Sequence, residues 1–360
     1  MTGYISADSH VTEPIELYGE RVDAQFRDRV PAIRNVDGWR MLLAEGLAPR
    51  KLMTASELDL AVVGGSDLDQ RRREQEGDGV IGEVVYPNWA LQTAFVGDPG
   101  LQLAISRAYN DWVLERLTGE HRTLPVVMIP MADVGAAVAE ALRVAALGAR
   151  ALSLPSRLDG AHYNTAELDP FWACASELGL PLTFHSGTGY DPRLFRGPGG
   201  HVLNYVLAAQ LDGPRVLLQL AAGGILDRFP RLQIVAVETG ASWLGWVMTQ
   251  ADQVYVDHAM YSKKPLSAKP SEFIRRQCHA TFMVDPVAVR NRDVTGVECL
   301  LWGNDYPHPE GTWPNSAEAA TAQLEGVPAE EVAAIMGGNA ARVFGFDRER
   351  LSTGSVARSS

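Results

Sequence analysis

A chain of 360 residues with 46% hydrophobic side chains and a formal net charge of -12 has ample material for a core and no basic footprint, so nucleic acid and anionic membrane surfaces are not expected partners. No window approaches the ~18 consecutive apolar residues of a membrane span, and MTGYISADSH lacks the charged and apolar regions of a secretory signal, which points to the cytoplasm. Cys174, Cys278 and Cys299 are widely spaced, with no Cys-x-x-Cys pair, which argues against a disulfide framework or thiolate zinc site and for small buried side chains.

The first apolar run is YISAD at 4–8, followed by a long stretch, 11–78, that contains the hairpin-like AIRNVDGWRMLLAEG. Then come VIGEVVYP at 80–87, a helical pattern at 101–117, LPVVMIPM at 124–131, a second helical pattern at 134–148 and ARALSLP at 149–155. PLTFHSG at 181–187 leads into a Gly/Pro-rich loop at 188–200. LQIVAVETG at 232–240 leads into the helical ASWLGWVMTQADQVY at 241–255, and TFMVDP at 281–286 and ECLLWGND at 298–305 complete the set. Continuous apolar runs suit parallel strands covered on both faces. Eight such runs alternating with helical patterns predict an α/β fold, a single (β/α)8 TIM-type barrel over residues 1–350, with an open doubly wound sheet as the weaker alternative. Residues 11–78 are expected as a cap over the C-terminal mouth, together with the loop at 188–200. The small polar segment 351–360 is expected to be a disordered tail.

Polar residues fall at the ends of these runs. Asp8 and His10 end the first, His185 the fifth, Glu238 the sixth and Asp305 the eighth. In a barrel those ends converge on one mouth, so residues hundreds of positions apart can meet around one ion. Asp8 and His10, two apart on an extended segment, face one side and can chelate together. Imidazole with carboxylate suits Zn²⁺ first, with Mn²⁺ or Fe²⁺ also compatible. Each residue alone has an ordinary reading, since Asp favours caps and turns and a lone His such as His121, His162, His258 or His279 is most often hydrogen-bonded or exposed. Arg228 reads as a structural ion-pair partner.

ADSHVTEP at 7–14, RAYNDW at 107–112, FHSG at 184–187, ILDRFPRLQIVAVETGASW at 225–243, WGNDYPHPEGTWPNS at 302–316 and GGNAARVFGF at 337–346 resemble the amidohydrolase-related branch of the amidohydrolase superfamily. That branch includes aminocarboxymuconate semialdehyde decarboxylase and the resorcylate-type decarboxylases. The resemblance implies a (β/α)8 barrel with one catalytic divalent metal, held by Asp8, His10, His185 and Asp305. It also implies a homodimer or larger assembly, for which the apolar residues of the 241–255 helix, two tryptophans among them, offer a face unless they are buried against the barrel. Many members carry histidine where this chain has Glu238, which is expected as a carboxylate base or a further ligand.

Two reactions compete. With neutral imidazoles, Asp8 and Asp305 balance a divalent ion and Glu238 leaves the site about one unit negative. That favours hydrolysis of an amide, lactam, lactone or ester of a small cyclic or aromatic compound by a metal-activated water, with Asp305 and Glu238 as the catalytic carboxylates. Decarboxylation of an aromatic or unsaturated acid is the alternative and needs cationic help for its anionic substrate. Arg40, Arg193 and Arg196 are the candidates, and Trp89 and Tyr190 are expected to line the pocket. Glu13 is expected either to support the loop after the first strand or to cap a helix at Pro14, and His308 to support Asp305 or merely pack while turning away from the mouth. A metal-binding barrel without catalysis is the third reading.

Overall fold

Unbroken Val, Ile and Leu runs need apolar cover on both faces, and the chain supplies it by closing them into a ring. A computed structural model describes residues 3–47, 49–52, 62–188, 195, 197–261 and 264–351. Its strands are β1 (Tyr4–Val11), β2 (Ala32–Val36), β3 (Trp39–Leu43), β4 (Arg50–Lys51), β5 (Val80–Pro87), β6 (Thr123–Pro125), β7 (Val127–Met128), β8 (Leu152–Leu154), β9 (Leu182–His185), β10 (Ile234–Val237), β11 (Cys278–Phe282) and β12 (Leu300–Trp302). Parallel ladders run β1-β5-β6 and β7-β8-β9-β10-β11-β12, while β2-β3-β4 form a separate antiparallel sheet.

Backbone hydrogen bonds join the two parallel ladders into one barrel. Val126 N–H donates to Val85 O at 2.9 Å and Val127 N–H to Ala151 O at 3.2 Å, so β6 and β7 are one stave that changes partner at Val126. On the other side Asp305 N–H donates to Asp8 O at 2.9 Å and His10 N–H to Tyr306 O at 2.5 Å, with a parallel bridge between Ser9 and Tyr306. Gly303 permits this approach, because a Cβ there would lie 2.6 Å from the Asp8 Cβ. All eight predicted runs are staves. The seventh begins earlier than read, at Cys278, because His279 is buried and satisfied by Glu298 O at 2.9 Å and Gln233 Oε1 at 3.0 Å.

Ile5, Ala7, Val84, Tyr86, Leu124, Val126, Ala151, Val235, Val237 and Leu301 form an interior cluster with Ala340, Phe344, Phe346 and Leu351. Leu351 is wholly buried, so the expected tail begins with a core side chain; residues 352–360 lie outside the described set. A larger cluster joins the outer faces of the staves to the helices. Pro99–Leu117 starts on Asp98, whose carboxylate accepts from Gly100 and Leu101 N–H, and Val134–Ala146 starts on Asp133. Proline at the first position and an Asp cap are ordinary starting signals for a helix. Among the described residues no helix is long and apolar enough to cross a membrane. All three cysteines are free and buried.

Where it is described, at 11–47, 49–52 and 62–78, the stretch after β1 forms a small antiparallel sheet and short helices. Its predicted hairpin is β2 and β3, turning at Asp37 (φ 50°) and Gly38 (φ 80°), a pair of left-handed residues that matches hairpin twist. Its last helix, Leu68–Gly77, packs behind β1 and β5. There the buried Arg71 bonds Glu83 at 2.7 and 2.8 Å, Ser9 Oγ at 3.0 Å and the His10 carbonyl at 2.6 Å.

Candidate metal and acid-base site

Register decides which residues of β1 reach the mouth. Ser6 pairs with Glu83 and Ser9 with Val85, so β1 carries one extra residue between them. This bulge changes the phase of the strand. Ile5 and Ala7 fill the interior, and beyond the bulge Asp8 and His10 project into the site. His185 ends β9, Glu238 follows β10 and Asp305 lies three residues beyond Trp302 at the end of β12.

Glu238 and Asp305 both have φ 55°, a left-handed conformation uncommon outside glycine. Glu238 N–H is held by Thr281 Oγ1 at 2.7 Å, and Asp305 N–H by Asp8 O at 2.9 Å. Non-glycine residues held this way cluster at functional sites, because the surrounding structure must offset the strain.

Each imidazole is anchored from behind. His10 Nδ1 donates to Pro87 O at 3.2 Å and His185 Nδ1 to Ser186 O at 3.0 Å, leaving their Nε2 atoms 3.2 Å apart. Asp8 Oδ1 lies 3.7 Å from each Nε2, and Asp305 Oδ1 3.4 Å from that of His10. Asp8 Oδ1 and Asp305 Oδ2 are buried without a hydrogen-bond partner. Orphaned carboxylate oxygens beside converging imidazole nitrogens are costly unless a cation joins them. Asp8, His10 and His185 each offer a ligand atom within 4.8 Å of the others, a set that fits a divalent ion, and Asp305 stands beside His10. Among the described residues the other close acid and histidine groupings, His10-Asp305-His308 and Glu238-Asp305-Glu310, share members with this site.

Proton affinities diverge between neighbouring groups of the site. Burial, with His308 nearby, lowers His10 to about 3. Burial acts likewise on His185, but the Asp8 carboxylate at 3.7 Å and the charge of Glu238 outweigh it and raise the group to about 9. Burial raises Glu238 to about 7, helped by the charge of Asp305. Burial opposes ionisation of Asp305 as well, yet His308 and His10 hold it well below the usual carboxylate range. The two carboxylates have an oxygen each within 4.8 Å, and their environments push them to opposite protonation states.

His308 does not turn away. The chain folds it back so that Nδ1 meets Asp305 Oδ1 at 2.9 Å, Nε2 meets Asn88 Oδ1 at 3.0 Å and its ring lies 4.1 Å from that of His10. Glu13 does not cap a helix at Pro14, since the helix begins at Glu16. Its carboxylate accepts from the N–H groups of Asn88, Trp89 and Ala90 and from Tyr18 O–H, all at 2.7–2.9 Å. Glu13 thereby fixes the loop whose Asn88 steadies His308, so a line of contacts runs from Glu13 to Asp305.

The mouth opens into a cavity of about 850 Å³ lined by His10, Arg50, Trp89, His185, His201, Tyr205, Glu238 and Glu310 among others. Trp89 is part of that lining. Arg40 is an exposed residue of β3 outside that lining, and the cap brings Arg50 there instead. Tyr190, Arg193 and Arg196 lie outside the described residues. Arg228 is the ion-pair partner expected, bound to Asp169 at 2.5 and 2.8 Å.

Several contributors were not legible in the sequence. Tyr205 O–H donates to Glu238 Oε1 and Ser186 O–H to Oε2, each at 3.1 Å, and Thr281 O–H approaches Asp8 Oδ2 at 3.4 Å. Ser186 and Thr281 carried a weak signal as polar residues in apolar runs. Tyr205 lies on a helical segment, Asn204–Ala209, with nothing to mark it.

The amidohydrolase family matches residues 86–346. The chain is 27% identical over 250 residues to the decarboxylase orsB of Emericella nidulans, covering 64% of this chain and 74% of that one. Among solved structures, an amidohydrolase from Mycobacterium avium subsp. paratuberculosis superposes with a TM-score of 0.76 at 19% identity, covering 95% of this chain and 99% of that chain. A 5-carboxyvanillate decarboxylase from Novosphingobium aromaticivorans, with bound manganese and 3-methoxy-4-hydroxy-5-nitrobenzoic acid, superposes with 0.72 at 16% identity over 95% and 97% of the two chains.

Proposed function

The chain belongs to the amidohydrolase family, and from that premise we propose that it is a metal-dependent enzyme that removes carbon dioxide from a small aromatic or unsaturated carboxylic acid without oxidation. The observation that carries this reading is the presence of Arg50 and His201 in the wall of the cavity that holds His10, His185 and Glu238. Charge had favoured hydrolysis because the carboxylates repel an anionic substrate. A guanidinium in the wall removes that objection, since it can pair with a substrate carboxylate. The decarboxylases to which the chain is similar support the same choice.

Asp8, His10, His185 and Asp305 would hold one divalent ion, Zn²⁺ or Mn²⁺, which when bound offsets their charge and polarises the substrate's oxygens. The proton belongs to the Glu238 and Asp305 pair. Burial raises the proton affinity of Glu238, while His308 and His10 favour an ionised Asp305, which makes Glu238 the member of the pair that carries a transferable proton. Delivery of that proton to the carbon bearing the carboxylate lets the C–C bond break, releasing carbon dioxide and leaving a C–H bond. Tyr205, 37% exposed and hydrogen-bonded to Glu238, links the pair to solvent for reprotonation.

The test is gas release from hydroxybenzoic acids, run beside amides and lactones. Glu238→Gln should retain metal and lose at least ~10² in turnover, the usual contribution of a positioned acid or base. Cleavage of amides or lactones without carbon dioxide release would restore hydrolysis. About one divalent ion per chain is expected by elemental analysis. Dialysis against chelator should abolish activity and Zn²⁺ or Mn²⁺ should restore it, whereas full activity without metal would end the metal assignment.

For the assembly, Trp243 lines a cavity beside Glu238, and Trp246, in the first turn of the Trp243–Asp257 helix, is 64% exposed. A homodimer covering this surface is expected, with light scattering giving about twice 39.1 kDa. A mass of 39.1 kDa at micromolar concentration would reject it.

A further inference from the structure

A second cavity, of about 390 Å³, adjoins the first. It lies over the ends of β10 and β11 and shares two wall residues with the mouth cavity, Tyr205 and Glu238. The site therefore sits between two spaces: His10 and His185 face one, Asp8 faces the other, and Glu238 faces both.

The two spaces differ in chemistry. Arg50 and His201 line the first. The second is walled by Val206, Leu211, Trp243, Phe282, Met283 and Val284, with no Lys, Arg or His among its described lining residues. Asp8, Gln210, Glu238, Ser242 and Asp285 also line it, with Asp8 Oδ1 unpartnered, but the polar atoms beside the apolar side chains are bonded within the protein. Asp285 accepts from the N–H groups of Ala241, Ser242 and Ala288 at 2.8–2.9 Å. Trp243 Nε1–H donates to Thr239 O at 3.0 Å and Gly240 O at 2.9 Å, which leaves its ring for contact. Thr239 O–H donates to Gly240 O at 3.2 Å. The side formed by Trp243, Phe282, Met283 and Val284 therefore offers a ligand mainly apolar area to cover.

We infer that the second cavity is a subsite for an apolar substituent, so that the substrate is an alkyl-substituted acid with its carboxylate toward Arg50 and its alkyl chain beside Phe282 and Met283. The acid rests on the reaction proposed above; the apolar subsite rests on the wall alone. Tyr205 is a positioning residue in this arrangement, its ring between the two spaces and its hydroxyl on Glu238.

The experiment measures binding of 4-alkylphenols, from methyl to pentyl, to the metal-loaded enzyme by calorimetry, with no turnover required. In parallel, kcat/KM is measured for hydroxybenzoic acids carrying the same substituents. Wild-type affinity should tighten about threefold per methylene, the gain expected for burying each group. Val206→Trp, which fills the space, should flatten that dependence. Met283→Trp approaches from another part of the wall and gives the same reading if the first variant disturbs its helical segment. Affinity independent of chain length in the wild type, or an unchanged slope in a folded variant, overturns the subsite. Chain-length-dependent binding without carbon dioxide release from any acid keeps the subsite and rejects the reaction, while release from unsubstituted acids with no chain-length dependence does the reverse.

Discussion

Asp305→Asn is expected to lower turnover by at least ~10² and to weaken metal binding as well. Asparagine keeps the shape and one ligating oxygen, but it removes the charge that His10 and His308 stabilise at 3.4 and 2.9 Å. It also places an amide where Asp305 Oδ2 is buried without a partner. The double loss separates this variant from Glu238→Gln, which should reduce turnover with metal content intact. Kinetics and elemental analysis on both variants test the division of labour. Near-full turnover by Asp305→Asn with normal metal content would mean that Glu238 handles the proton alone.

Arg71→Ala should destabilise the fold by about 3–5 kcal/mol, the range for breaking a buried ion pair by removing one partner. Arg71 and Glu83 are 1% and 5% exposed, so the abandoned carboxylate has little access to water. Gln75 and Ser9 still donate to it, at 2.6 and 3.0 Å, but neither carries charge. The same guanidinium fixes the His10 carbonyl at 2.6 Å, so metal affinity should fall with stability. Urea unfolding of the variant beside the double substitution Arg71→Met with Glu83→Leu gives the measurement. The double variant should recover much of the loss, because apolar replacement of a buried pair is often near neutral. A single variant as stable as wild type would show that water reaches this network.

The sequence alone determined the staves and the strand ends where the candidate site residues fall. Unbroken Val, Ile and Leu runs have few other soluble solutions than parallel strands covered on both faces, and Asp8, His10, His185, Glu238 and Asp305 stand out because each ends such a run. The turn at Asp37 and Gly38 was legible for a similar reason, since few residue pairs accept that backbone.

Tertiary structure decided what depends on phase and on distant partners. The bulge in β1 turns Asp8 and His10 inward after Ile5 and Ala7, and nothing in YISADSH marks an extra residue, because a bulge is defined by the strand opposite. Arg50 rather than Arg40 reaches the mouth because β3 and β4 place them on different parts of the cap sheet, a choice made by pairing and not by composition. His308 returns to Asp305 because Asn88, held in place by Glu13, offers an acceptor on the far side of the ring. Glu238 acquires its raised proton affinity from burial beside Asp305, a neighbour 67 residues away in the chain that only barrel closure brings within reach.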